Sequence, residues 1–456
     1  MMKRIFPFFV FLSLIGVGAC SDNDDFSSDK ALHITFSVDT LKIDTVFTNV
    51  GSSTYTFWAF NRSDAGIRIE SVRLEQGNQT GFRVNVDGIY LDNSTGSVVT
   101  DLELQKGDSL RVFVELTAPE QHRLEPQRVA DNLLFKLKSG VEQRVPLVAW
   151  AWDALKVTDM VVSRDTIIES RQPIVVYGTG IRVDSAATLT IKNTTLYFHD
   201  GAGMLVRGRL LTDSVVMRGD RLDRMFDYLP YDRVSGQWRG VQFTQTSDCN
   251  NLKRTEIRNA ECAVLLSDSA RLDSLVPRLT MSHCVIHNSK VSAIVSYNSH
   301  LALDYCQVTN AGGDCLSVYG GICAVDHCTL AQFYPFIGDR GVALRFADND
   351  SDNLWTQMRL TCRNSIFTGY EDDVVMAAHT DRDSTDFSYY FENCLLRTPA
   401  VEDDTISFRN VRWETAKDSV QGKQHFRLID EENLIYDFHL DSLTTVPQMG
   451  CYPLSD

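Results

Sequence analysis

Residues 279–342 read LTMSHCVIHNSKVSAIVSYNSH (279–300), LALDYCQVTNAGGDCLSVYGGI (301–322) and CAVDHCTLAQFYPFIGDRGV (323–342), and they align without a gap. Cys284, Cys306 and Cys328 share one column, 22 residues apart, and an aliphatic residue follows each two positions later. A fixed phase with a period near 20 means that one supersecondary unit repeats and stacks each position on itself. The pattern extends to Thr194-Thr195-Leu196, Ser214-Val215-Val216 and Thr255-Glu256-Ile257 on one side. On the other side it extends to Asn364-Ser365-Ile366 and Cys394-Leu395-Leu396. The first column holds only small residues, so size rather than sulfur is the common property and the row reads as packing. Cys262, also 22 residues before Cys284, is out of register because Thr255 fills the column. Asn259, Asn288 and Asn310 recur two residues past the aliphatic position. Asn tolerates the left-handed conformation of a sharp corner and can bond along a stack.

These features predict a parallel β-helix over residues 154–456, with coils of about 22 residues that each advance about 4.8 Å. The pattern resembles the right-handed β-helix of the pectin-lyase-like superfamily. That resemblance implies polysaccharide cleavage in some members and only binding or spacing in others. The final stretch, YDFHLDSLTTVPQMGCYPLSD (436–456), resembles the closing segment of such proteins and is expected to cover the last coil as a cap. Cys306, Cys315, Cys323 and Cys328 lack the short paired spacing of a zinc site. They read as buried, unreactive thiols, with a Cys315–Cys323 disulfide as the leading exception.

The chain begins with Lys3 and Arg4, then an apolar run from Ile5 to Val17, then Val17-Gly18-Ala19-Cys20. The run is too short for a membrane span of about 20 residues but fits a secretory signal. Its end resembles the bacterial lipobox, which implies a signal peptide over residues 1–19 and lipid on Cys20. An acidic tether follows over residues 20–30. It resembles the export tag that places some lipoproteins on the outer face of a Gram-negative outer membrane; the periplasmic face is the alternative. Net charge is −16, which argues against nucleic acid as a partner, because phosphate binding needs a cationic face.

Residues 31–153 alternate apolar and polar side chains at Leu32–Val38, Phe82–Val86, Leu110–Leu116 and Val145–Trp152, with turn residues between the runs. That pattern predicts a β-sandwich. The run Asp44-Thr45-Val46-Phe47-Thr48, then Gly51-Ser52, then Phe57 to Asn61, resembles an Ig-like domain of bacterial surface lipoproteins. It implies a spacer or interaction module. Trp150 and Trp152 share a face and read as packing rather than as a sugar platform. The fold class is therefore all-β: an N-terminal Ig-like β-sandwich (31–153), then a right-handed parallel β-helix (154–456).

Two excursions interrupt the coils, Arg218 to Gln237 and Phe333 to Met358, and are expected to wall a groove. Phe226, Tyr228, Tyr231 and Trp238 are the candidate sugar-stacking residues. Glu371-Asp372-Asp373 resembles the paired-Asp motif of polygalacturonase-like hydrolases, but the Asn-x-Asp, Gly-His-Gly and Arg-x-Lys partners are missing and His379 has no flanking glycines. Asp372 and Asp373 are thus candidates only under a hydrolase reading. A calcium ion enters only under a lyase reading, and no other cofactor or metal is expected. Asp-Ser/Thr-aliphatic triplets, such as Asp44-Thr45-Val46 and Asp108-Ser109-Leu110, resemble an O-glycosylation sequon of exported Gram-negative proteins.

The sequence thus favours a non-catalytic, lipid-anchored surface protein that binds glycan or a surface partner. A polysaccharide lyase or glycoside hydrolase is the first alternative and a structural or adhesive stalk the second. The anchor has a direct test. Palmitate labelling of the expressed protein is expected, and it should disappear in Cys20→Ala; labelling that persists in that variant contradicts the assignment.

Overall fold

The computed structural model describes residues 25–226, 228–269, 272–273, 275–380, 386–401, 403–414 and 422–454. Cys20 and the expected signal and tether up to residue 24 lie outside the described residues. Among the described residues the chain is built from strands and three short 3₁₀ turns, with no α-helix. It divides into two compact units: residues 1–42, 54–116 and 130–148, and residues 43–53, 117–129 and 149–456.

The N-terminal region forms two sheets. One orders Phe26–Ser27, Gly66–Leu74, Gln127–Leu137, Glu142–Trp152 and Leu41–Phe47, with Val98–Leu104 added beside Gly66–Leu74. The other orders Thr35–Phe36, Tyr55–Phe60, Ser109–Leu116, Phe82–Val86 and Ile89–Tyr90. Alternate residues are buried, as in Phe82, Val84 and Val86, because a strand sends successive side chains to opposite faces. Phe36 of one sheet meets Phe135 of the other at 4.9 Å.

The second unit is a parallel β-helix whose coils each contribute to three faces. Face A contains Gly203–Val206, Val241–Phe243, Val264–Leu266, Leu344–Ala347 and Val375–Ala378. Face B contains Leu279–Ser282, Gln357–Arg363 and Asp386–Glu392. Face C contains Val285–Ser289, Gln307–Ala311, Thr329–Gln332, Ile366–Gly369 and Leu395–Arg397. Longer strands turn a corner, so Ile294–Asp304 serves faces A and B and Thr188–Phe198 serves B and C. One inward row on face C runs Ile174, Leu196, Met217, Ile257, Ile286, Val308, Leu330, Phe367, Leu396 and Trp413 in unbroken register.

The cysteine column lies two residues before that row, at the corner from face B to face C. Its members are Thr194, Val215, Thr255, Cys284, Cys306, Cys328, Ser365 and Cys394. Val215 and Ser365 occupy the positions that sequence spacing gives to Ser214 and Asn364. Those two residues instead sit one step earlier and turn the chain. Asn193, Ser214, Arg254, His283, Tyr305, His327, Asn364 and Asn393 all have left-handed φ, between 46° and 57° apart from His327 at 45°. The expected Asn259, Asn288 and Asn310 are left-handed as well, at the far end of face C. They do not bond one another; Asn259 donates to Asp232 O and Asn310 accepts from Phe333 N. An Asn ladder does form in the earlier corner row, where Asn393 donates to Asn364 and Asn410 to Asn393, at 2.7 and 3.1 Å.

Size alone does not define the cysteine column. Each hydroxyl or thiol donates across the left-handed residue to the carbonyl two positions before it. Thr194 reaches Lys192 O at 2.6 Å, Thr255 reaches Lys253 O at 3.0 Å and Ser365 reaches Arg363 O at 2.6 Å. The thiols of Cys284, Cys306, Cys328 and Cys394 do the same at 3.1–3.4 Å. Some of these atoms also accept from the coil before: Ser170 N donates to Thr194 Oγ1, Cys306 N to Cys328 Sγ and Cys328 N to Ser365 Oγ. Cys315 and Cys323 are both buried and free, so the disulfide exception does not hold. Burial pushes the Cys323 and Cys394 thiols up to about 12, which keeps them protonated and inert.

Face C is covered along its length within this unit. Phe47, Val50 and Trp152 pack on Val175 and Tyr197. The first excursion follows, where Asp232 pairs with Arg218 at 2.9 Å and Arg258 at 3.2 Å from adjacent coils. The C-terminal hairpin Phe426–Asp430 and Ile435–Leu440 then places Phe426, Phe438 and Leu440 on Phe333, Ile366 and Leu395. The C-terminal segment therefore lies back along face C, with Gly450 N bonded to Asn364 O and Cys451 N to Thr329 Oγ1, rather than covering only the last coil.

The corner donor predicts unequal effects of two small changes at one site. Cys306→Ser keeps a side-chain donor to Asp304 O, whereas Cys306→Val conserves volume and leaves that carbonyl with only its backbone donor, His283 N at 2.9 Å. Urea unfolding should show Val less stable than Ser by about 0.5–1.5 kcal/mol, the net worth of one hydrogen bond. Equal stability would mean that the thiol is only filler.

Candidate functional site

With face C covered, the open outer surface of face A carries the candidate site. Its outward row reads Arg182, Leu205, Gln242, Leu265, Val295, Ser317, Arg345 and Met376, one residue per coil. Over the first coils a groove of about 620 Å³ opens, lined among others by Asp159, Arg182, Leu205, Arg207, Arg239, Gln242 and Leu265. Its floor is close-packed backbone: a Cβ on Gly180 (φ +100°) would lie 1.8 Å from Gly203 O, and one on Gly240 (φ +95°) 1.7 Å from Cys262 O. Only glycine permits that approach together with those torsions.

The groove is cationic within a chain of net charge −16. Arg182 pairs with Asp184 at 3.0 Å. Arg207 and Arg239 are exposed and make no ion pair among the described residues. Asp159 accepts from Thr179 N and Oγ1, both at 2.7 Å, and these bonds hold its carboxyl below the usual range. Cys262 lines the same groove, but burial pushes its thiol up to about 12.

Further along face A the aromatic side chains gather. Tyr297 and Tyr319 stack at 5.3 Å with rings 16° apart, and Trp355 of the second excursion leans on both, at 5.9 and 6.4 Å. Beside them the nearly buried Asp314 accepts from Ser317 Oγ at 2.8 Å, Val342 N at 2.9 Å and Arg345 Nε at 2.8 Å. The hydrogen bond to Asp314 raises the Arg345 guanidinium above its usual range, so it stays charged. At the end of the face, Asp348 bonds His379 Nδ1 at 2.8 Å.

The residues singled out from sequence do not converge on this site. Phe226 and Tyr228 are exposed and stack at 5.5 Å on the hairpin Arg224–Phe226 and Leu229–Pro230. Tyr231 lies under the Arg221 guanidinium at 4.3 Å. Trp238 is 2% exposed, stacked on Phe198 at 4.2 Å with its indole N–H on Arg258 O, so it is core and offers no face to a sugar. Asp372 pairs with the buried Arg397 at 2.6 Å, and Asp373 accepts from Thr398 at 2.6 Å. Trp150 is exposed, while Trp152 packs on Phe47 and donates to Leu124 O. No group of His, Cys, Asp or Glu among the described residues is arranged to hold a metal. One signal for the missed residues was present: Tyr297 and Tyr319 are also 22 residues apart, in one column of the repeat.

A family model described as a right-handed β-helix region matches residues 157–335. No curated protein matches the chain. Among solved structures, the chain is similar to the Agl-KA catalytic domain at 12% identity, covering 80% of this chain and 76% of that one, with a TM-score of 0.28. It is similar to the catalytic domain of a GH87 α-1,3-glucanase in complex with nigerose at 10% identity, covering 85% and 93%, with a TM-score of 0.25. A family 123 glycoside hydrolase from Clostridium perfringens matches at 8% identity over 28% of this chain, with a TM-score of 0.19, and the match spans only 26% of that enzyme. The family match over residues 157–335 and the parallel strand order together describe a right-handed parallel β-helix there.

Burial separates the aromatic side chains by role. Trp238→Ala should lower stability by about 3–5 kcal/mol in chemical denaturation, as expected for a large core side chain. Tyr228→Ala should stay within about 0.5 kcal/mol of the parent. A Tyr228 effect as large as that of Trp238 would contradict this division.

Proposed function

We propose that this chain is a lipid-anchored surface protein of the outer membrane that binds an acidic glycan along face A of its β-helix. The observation that carries the reading is the pair of guanidinium groups, Arg207 and Arg239, which make no ion pair among the described residues and lie in an open groove of an otherwise acidic chain. A guanidinium forms bidentate bonds to carboxylate or sulfate, which suits the acid groups of a uronate or sulfated sugar. The Tyr297–Tyr319 stack supports the same reading, because stacked rings one coil apart offer their edges and hydroxyls to a chain laid along the axis. In this reading the two-sheet N-terminal unit is an Ig-like spacer and Cys20 carries the lipid.

The hydrolase alternative draws no support from Asp372 and Asp373, whose partners are Arg397 and Thr398. The exposed Phe226–Tyr228 pair favours a second contact, either with the same glycan or with a surface protein.

Electrophoresis in gels containing polygalacturonate, heparin or a neutral glucan tests the reading. Retardation is expected in an acidic gel, weakening as salt screens the arginines. The double variant Arg207→Ala/Arg239→Ala should run as in a plain gel. Equal mobility of the parent in all gels, or retention untouched by the double variant, would reject the reading.

A further inference from the structure

The end of face A holds a side-chain pair that binding alone does not require. Asp348 follows strand Leu344–Ala347 and is fully buried. Its oxygens accept from Asn349 Nδ2 at 2.6 Å, from Thr380 N at 3.0 and 3.1 Å, and from His379 Nδ1 at 2.8 Å. Burial pushes the Asp348 carboxyl up, yet these donors outweigh it and hold the group below its usual range. An anionic partner at Nδ1 places the proton of a neutral imidazole on that nitrogen and leaves a lone pair on Nε2. The ring stacks on Phe387 at 4.5 Å and 22°, which fixes its plane. The His379 side chain is still 37% exposed.

The pair adjoins the aromatic platform. Tyr319, Ala347 and Ala378 occupy one row on successive coils, so His379 comes one residue after a position about 10 Å from Tyr319 along the axis. Trp355 N donates to Asp348 O at 2.8 Å, so one segment supports both the platform and the pair.

We infer that His379 is a proton-transfer residue acting on a glycan held on face A, with Asp348 as its positioning residue. The inference rests on the glycan reading above. In the step it implies, Nε2 takes the proton from a bound hydroxyl or water and the bonding pair stays on that oxygen. The imidazolium is held by Asp348 while that oxygen bonds to the acyl carbon of an ester group on the glycan; the bond from acyl carbon to sugar oxygen breaks with its pair on the sugar oxygen, and Nε2 returns the proton there. A buried carboxylate that orients an imidazole with a reachable second nitrogen is the arrangement such a transfer needs.

Hydrolysis of p-nitrophenyl acetate by the full chain reports an accessible imidazole base without a matched glycan. His379→Gln should lower the rate at neutral pH by about tenfold or more. Asp348→Asn should lower the rate as well and move the His379 proton off Nδ1 in ¹⁵N spectra, because it removes the acceptor that fixes the tautomer. An unchanged rate in His379→Gln, or an unchanged rate and tautomer in Asp348→Asn, overturns the inference. Should either variant fold poorly, ¹⁵N spectra of the parent decide: an Nδ1–H tautomer at His379 is expected, and an Nε2–H tautomer overturns the proposal. A His379-dependent rate without any glycan retention would remove the glycan reading and leave the proton-transfer group standing.

Discussion

A small side-chain donor that bonds back across a left-handed corner residue is the interaction on which the β-helix depends. Each turn from face B to face C passes over one left-handed residue, and the carbonyl just before it can accept twice: Asp304 O, Asp326 O, Arg363 O and Glu392 O each take a backbone N–H from the neighbouring coil as well as the side-chain donor. One such added hydrogen bond contributes about 0.5–1.5 kcal/mol. Thr194, Thr255, Cys284, Cys306, Cys328, Ser365 and Cys394 each satisfy that carbonyl from a side chain small enough for a narrow coil. Val215 has no donor, and at that rung the buried Thr212 hydroxyl reaches Thr255 on the next coil at 2.7 Å. Cysteine is chosen here as a compact S–H donor that also packs well, not for its reactivity.

This constraint shapes where function can reside. Corners fixed rung by rung leave the coils little freedom, so variation moves to the excursions and the outward rows. Face C is closed by Phe47 and Trp152, by the Asp232 network and by the C-terminal hairpin. Face A remains open and carries arginines, tyrosines and an oriented histidine in coil register. The first excursion covers face C instead of walling a groove, whereas the second brings Trp355 to the Tyr297–Tyr319 stack.

The repeat was legible in sequence because stacking demands the same side-chain property at every rung. The inward aliphatic row and the absence of Cys262 from the column follow from spacing alone. Register at Ser214 and Asn364 was one residue off because Ser and Asn suit both the column and the adjacent left-handed corner. The candidate site was far less legible. Outward residues on separate coils are distant in sequence and need no shared property, so Arg182, Arg207 and Arg239 show no pattern. Trp238 is a sugar-stacking candidate by sequence because it borders an excursion, yet its ring fills the coil against Phe198. His379 and Asp348 are 31 residues apart and meet only because their coils are neighbours.

The central claim is that ligand contact occurs on face A. Hydroxyl-radical footprinting in the presence of polygalacturonate or heparin, whichever retards the protein, tests it most directly. The account predicts that oxidation falls at Tyr297 and Tyr319 and is unchanged at residues of face B such as Tyr390. Protection confined to Tyr228 or to face B, with Tyr297 and Tyr319 oxidised as in the free protein, would contradict it.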